Sequence, residues 1–136
     1  MEIEKIRQSL SAQAASCSRE LEENQKILTK LDFIFAKAKY AKEYQGTEPI
    51  FNTDGIVDIK QGRHPLLDPK KVVPIHIYIG DDFNMLLLTG PNTGGKTVSL
   101  KTVGLFQLMG QAGLHIPAFQ GSRLAVFSDI FADIGD

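Results

Sequence analysis

The sequence predicts an α/β protein with two unlike parts: a long N-terminal helix over residues 1–45, and a strand-and-loop domain over 47–136. Three observations lead to this. Residues 1–45 contain no Gly and no Pro, and their apolar residues recur every seven positions. From residue 47 on, short β-rich runs alternate with Gly- and Asp-rich turns. Within that second part an apolar run, residues 85–88, leads into Gly90-Pro91-Asn92-Thr93-Gly94-Gly95-Lys96-Thr97, and a helical stretch follows.

The helix comes first. Ala, Glu, Lys, Gln and Leu dominate it, all good helix formers. One apolar row is Ala14, Leu21, Leu28 and Phe35. A second is Leu10, Cys17, Leu31 and Ala38, with Asn24 as its polar member. Ile27 and Ile34 widen the stripe. Such a seam belongs to a coiled-coil-like helix. At 1.5 Å per residue, some 40 residues make a rod of roughly 60 Å. A domain of this size has a radius of gyration of only about 14 Å. Part of the seam is therefore expected to seek a second helix, although it could instead lie on its own domain. Gly46 is the expected C-terminal stop.

In the second part, Ile56 to Ile59 reads as a short strand after Asp54-Gly55. Val72 to Ile79 reads as a strand with a bulge or edge position at Pro74. Gly80-Asp81-Asp82 turns the chain. Met85, Leu86, Leu87 and Leu88 form a continuous apolar run, the pattern of a strand buried on both faces. A helix is expected from about Gly95 to Met109, broken by Gly110 and Gly113. His115-Ile116, Leu124 to Phe127 and Ile130 to Ile134 are further strand candidates.

Composition narrows the function classes. The chain has 136 residues, enough for one ordinary core and too few for two. A net charge of −1 does not point to a nucleic-acid or membrane-surface binder. The single cysteine forms no internal disulfide, which suits a reduced thiol in the cytoplasm; on the helix seam it reads as a small apolar filler. The N-terminus lacks the apolar core of a secretory signal, and no run approaches the length of a membrane span.

The glycine loop carries the chemistry. Residues 90–97 match G-x-x-x-x-G-K-[ST] at every fixed position, between a strand-like run and a helix. Glycines allow positive φ, so successive backbone N–H groups turn inward. Those donors and the positive end of the following helix hold phosphate oxygens. Lys96 reaches the β and γ phosphates as a point charge, and the Thr97 hydroxyl is placed for Mg²⁺. Gly90, Pro91, Asn92, Thr93, Gly94, Gly95, Lys96, Thr97 and Val98 are thus the candidate phosphate-binding residues, with ATP or ADP and Mg²⁺ as cofactors. The bland alternative is a glycine-rich turn with an exposed lysine.

GPNTGGKT, followed by VSLKTVGLFQLMGQAGLHIPA, resembles the ATPase domain of the MutS family, and more closely its second bacterial branch, described as recombination suppressors. Gly62-Arg63-His64-Pro65, Gly113 to Ala118, Ile130 to Gly135 and the helical LDFIFAKAKYA of residues 31–41 carry the resemblance through most of the chain. The resemblance implies a partial P-loop NTPase domain of the transporter-like ATPase class. It further implies homodimeric parents with nucleotide sites across the interface, binding to branched or distorted DNA through regions outside this stretch, a link to ribosome rescue, and a nuclease-like domain in many members. It places adenine at Val72, where the family commonly has an aromatic residue. His64, between Arg63 and Pro65 in a turn-like segment, has two readings, a part in shaping the nucleotide pocket or a structural role in the turn.

By the same resemblance, the carboxylates that hold Mg²⁺ and polarise water follow a later strand, beyond Asp136. Lys96 is then the one catalytic side chain here, and little or no turnover is expected from this chain alone. Asp133 comes too early after the lysine and reads as a surface acid. Two other readings compete. One is a helix-mediated assembly module with a sensing or vestigial nucleotide site. The other is a fragment of a transporter or chromosome-maintenance ATPase, whose strand after the loop helix would carry a Gln absent from Leu114-His115-Ile116-Pro117. His76 is expected to face outward and His115 to pack, and no histidine pair has metal-ligand spacing.

Overall fold

The computed structural model describes residues 2–91 and 95–133. The chain divides into two compact units, 1–39 and 40–136.

The first unit is helical, but not as one unbroken rod. Helix α1 (Glu2–Ser16) and helix α2 (Ser18–Glu43) meet at a turn on Cys17. There the Cys17 N–H donates to the Ala14 carbonyl at 3.1 Å, a step of three residues, while the Ser16 hydroxyl donates to the Gln13 carbonyl at 2.7 Å. A serine that bonds back to its own helix competes with the helical ladder and bends it. A heptad pattern reports which face is apolar and is blind to this local competition. The Cys17 thiol, expected to fill a seam, is exposed. Helix α1 buries no residue, and Leu10, Leu21, Leu28 and Phe35 are each more than half exposed.

The second unit begins with the last turn of α2. The Gly46 N–H donates to Ala41 O at 2.8 Å and the Gln45 N–H to Lys42 O at 3.4 Å, a Schellman arrangement. The left-handed residue is Gln45, at φ 55°, one position before the glycine expected to take that role. Gly46 has a different job. A Cβ there would lie 2.5 Å from the Tyr44 ring and 3.0 Å from His115 Cβ.

Strands β1 (Ile50–Asn52), β2 (Val57–Gly62), β3 (Ile75–Ile79) and β4 (Arg123–Ala125) form a mixed sheet in the order β1-β4-β2-β3. β1 and β4 are parallel, and the other pairs are antiparallel. Alternation sorts the sheet into two faces. Val57, Ile59, Ile77 and Leu124 are buried against helix α3 (Lys96–Gln111), chiefly on Phe106 and Met109. The opposite face carries Asp58, with the Lys60 ammonium at 3.6 Å, the Arg123 guanidinium at 3.8 Å and His76 Nε2 at 3.9 Å. Those partners explain how a carboxylate only 8% exposed sits in the middle of a sheet.

Between Ile59 and Gly62 one extra residue enters β2, with Gln61 at φ 51°. This bulge brings Gly62 onto the core face beside Phe106 and sends the next residues, Arg63-His64-Pro65, out of the sheet.

Several expectations are corrected. Residues 85–88 form no strand among the described residues, and Met85 and Leu87 are more than four-fifths exposed. A strand buried on both faces needs a hydrogen-bonded neighbour and a covering layer, and composition records neither. β3 starts only after Pro74, which lacks the N–H a ladder needs. Gly110 stays inside α3, where Leu124 and Phe51 approach too closely for a Cβ. The helix instead ends in a second Schellman arrangement with Gly113 at φ 76°. His115-Ile116 makes a single bridge, Thr47 to Ile116, and His115 itself is exposed rather than packed. Residues 130–133 have no regular structure, and Ile134 lies outside the described residues. β1 has no counterpart in the sequence pattern, since three residues after a proline leave too little to read.

Candidate functional site

The loop and its helix supply the first half of the site. Gly90 sits at φ 143° and Gly95 at φ 77°, conformations that favour glycine. Asn92, Thr93 and Gly94 lie outside the described residues. Among the described residues a Cβ built on Gly90 or Gly95 meets nothing within 4 Å, so the demand for glycine there comes from the positive φ. Gly95 is the N-cap of α3 and offers no side-chain cap to the first turn. The N–H groups of Lys96, Thr97 and Val98 are the donors that a helix start leaves without intrahelical partners. Together with the positive end of a 16-residue helix, they suit an anion.

Lys96 is the first residue of that helix. Its Nζ donates to the Gly90 carbonyl, so the ammonium spans the two ends of the loop. Thr97 and Val98 are exposed in the first turn, and Pro91 is exposed on the entering side. This donor set fits a nucleotide's phosphates. Among the described residues no group of three or more His, Cys, Asp or Glu could hold a metal. A divalent ion here would rest on the Thr97 hydroxyl and on the phosphates themselves. Asp133 is exposed and lies along an open apolar groove with Ile79, Leu100 and Phe131.

The structure brings His64 and Val72 together. They line one cavity of about 390 Å³ with Tyr44, Arg63, Lys70 and Pro117. Residues of the 90–97 loop are not part of its lining among the described residues. His64 has a clear turn role: its Nδ1 accepts the Leu66 N–H at 3.3 Å and its carbonyl accepts the Leu67 N–H at 3.1 Å. Arg63 is anchored through its backbone N–H to Pro117 O at 2.8 Å, and its guanidinium donates to Gln45 Oε1 at 3.5 Å. The Tyr44 hydroxyl donates to His115 O at 2.8 Å. Partial burial, and secondarily the neighbouring Tyr40, hold that hydroxyl protonated above the ordinary tyrosine value. Tyr44 and Lys70 carry no sequence signal of a site, whereas Arg63 belongs to the Gly62-Arg63-His64-Pro65 segment.

A model of MutS domain V matches residues 86–136, which includes the loop and all of α3. Relatives extend the likeness to the whole chain. An endonuclease MutS2 of Agathobacter rectalis is 64% identical over 135 residues, 99% of this chain. That of Clostridioides difficile is 57% identical over 135 residues, and that of Alkaliphilus metalliredigens 54% over 136. The chain belongs to the MutS family, in its MutS2 branch. It spans 17% of the length of each of these three relatives. The family model covers the loop but, of the cavity around His64 and Val72, only Pro117; the likeness to the relatives covers both. No helix among the described residues is long and apolar enough to cross a membrane.

Proposed function

We propose that this chain carries the phosphate-binding part of an ATP site in a MutS-type, DNA-binding ATPase. The observation that supports this best is the uncapped start of α3 behind two positive-φ glycines, with Lys96 as its first residue. In this reading the backbone from Gly90 to Val98 cradles the phosphates, including Pro91, Asn92, Thr93 and Gly94. Lys96 neutralises the β and γ oxygens, and Thr97 contributes its hydroxyl to Mg²⁺. Mg-ATP, when bound, supplies the phosphoryl group and the metal charge. What these residues contribute is position and electrostatic complementarity, which together account for nearly all of the catalysis in phosphoryl transfer. Val72 and His64 belong to the base end, where an aliphatic wall replaces a stacking ring. Hydrolysis, a homodimer, branched or distorted DNA, and a ribosome contact belong in this reading to the whole cytoplasmic protein.

The competing reading, an assembly module with a vestigial site, draws on the exposed seam of α1 and α2. Nucleotide binding separates the two. Removing a charge-assisted contact costs about 1.5–3 kcal/mol, or roughly 10- to 150-fold in affinity. A titration with fluorescent ADP and Mg²⁺ should show that loss in Lys96→Ala. Equal affinity in the two proteins would sink the nucleotide reading and leave the assembly reading standing.

A further inference from the structure

Two glutamines on α3 lie four residues apart, hence on one face of the helix, and both grip the chain that leaves β4. Gln111 Nε2 donates to Phe127 O at 2.9 Å, and the Phe127 N–H donates to Gln111 Oε1 at 3.0 Å. Gln107 Nε2 donates to Gln111 Oε1 at 3.0 Å and also to Ala125 O. The orientation of both amides follows from chemistry. Phe127 presents an N–H, so Gln111 must face it with oxygen. That oxygen and the Ala125 carbonyl are both acceptors, so Gln107 must face them with its NH₂. Gln107 Oε1 is thereby turned away, and it is buried with no donor among the described residues. Flipping the amide would set oxygen against oxygen twice, so the unmet acceptor belongs to the arrangement itself.

Beyond Val126, whose N–H donates to Asn52 O at 2.9 Å, the gripped segment is lightly held. β4 ends at Ala125, residues 126–133 have no regular structure, and Phe131 is 92% exposed. Gln107, Phe127, Asp129 and Ile130 border one shallow cleft of about 260 Å³. A modest shift of residues 128–130 into that cleft would carry a backbone N–H toward the unmet Gln107 acceptor. The same helix begins, eleven residues earlier, at Lys96 of the phosphate loop.

We propose that Gln107 and Gln111 are positioning residues that couple the phosphate loop to the segment 125–131. The inference rests on the nucleotide reading of that loop. Phosphate bound at the start of α3 moves the helix, the glutamine pair carries the motion to Phe127, and Gln107 Oε1 accepts the donor that completes the second arrangement. Gln111 is exposed, so replacing it leaves the core of the unit intact.

The test is amide hydrogen exchange by NMR on this chain, with and without saturating Mg-ADP. The wild type, Gln111→Leu and Gln111→Glu are compared, and the amides of residues 96–98 report occupancy. The expected result is a change of at least about fivefold, the lower end of typical couplings, at the Phe127 amide of the wild type. Gln111→Leu should abolish that response. Gln111→Glu, which keeps the acceptor and loses the donor, should restore part of it. A loop that responds while Phe127 does not, or a Phe127 response of equal size in Gln111→Leu, overturns the coupling alone. If residues 96–98 do not respond at all, the nucleotide reading falls and the coupling falls with it.

Discussion

Gly62 and Gly104 should respond in opposite directions to the same change, glycine to alanine. At Gly62 the added Cβ would lie 2.6 Å from Ile59 Cγ2 and 2.8 Å from Phe106 Cε2. Both neighbours are fully buried, at 0% exposure, so neither is the free end of a flexible side chain. Overpacking a site of this kind costs roughly 1–3 kcal/mol. At Gly104, inside α3, the new methyl group meets nothing within 4 Å among the described residues. There alanine only removes the conformational freedom of glycine and should stabilise the helix by about 0.8–1.0 kcal/mol.

Urea denaturation followed by circular dichroism reads both changes. The midpoint should fall for Gly62→Ala and rise for Gly104→Ala, with the slope unchanged. A Gly62→Ala protein as stable as the wild type would refute the reasoning, because it would mean that the β2 bulge and the Phe106 ring yield without cost. The consequence reaches the candidate site. The bulge that places Gly62 also aims Arg63 and His64, so a Gly62→Ala protein that survives should show altered chemical shifts around the cavity they line.

Other expectations follow from the same structure. The raised Tyr44 value makes the hydroxyl's contribution to stability fully present below the ordinary tyrosine value of 10.0, and lost as pH rises through the folded value. Thermal unfolding should therefore show the wild type converging on Tyr44→Phe above pH 10, and a constant gap between them up to pH 12 would contradict this. Along α2, replacing Leu21 and Leu28 with Glu should leave nucleotide binding untouched and shift any self-association toward monomer. Each large apolar side chain left in water forgoes roughly 1.5–3 kcal/mol of burial. Sedimentation showing the wild type strictly monomeric across micromolar concentrations would count against an intermolecular seam.

What the sequence determined by itself was everything that depends on local chemistry. Helix formers without Gly or Pro marked residues 2–16 and 18–43 as helical, although the seven-residue pattern did not register the local break at Cys17. Glycine spacing marked the loop, Lys96 opened the helix behind it, and His64 belonged to a turn, because each of these depends on the residues within a few positions of it. Tertiary structure alone decided the rest. Whether residues 85–88 become a strand depends on a hydrogen-bonded neighbour, which no window of sequence contains. Gln45 takes the left-handed position, and Gly46 is instead needed because His115, distant in sequence, and the nearby Tyr44 ring leave no room for a Cβ there. Gly110 stays helical because Leu124 and Phe51 close over it. His64 and Val72 meet across a cavity with Tyr44 and Arg63 because the β2 bulge turns the chain outward there. The glutamine pair on α3 is ordinary helix polarity until β4 brings the Phe127 backbone within reach. Backbone preference is set residue by residue, but burial and hydrogen-bond partnership exist only between segments, and a fold must bring those segments together before they have any value.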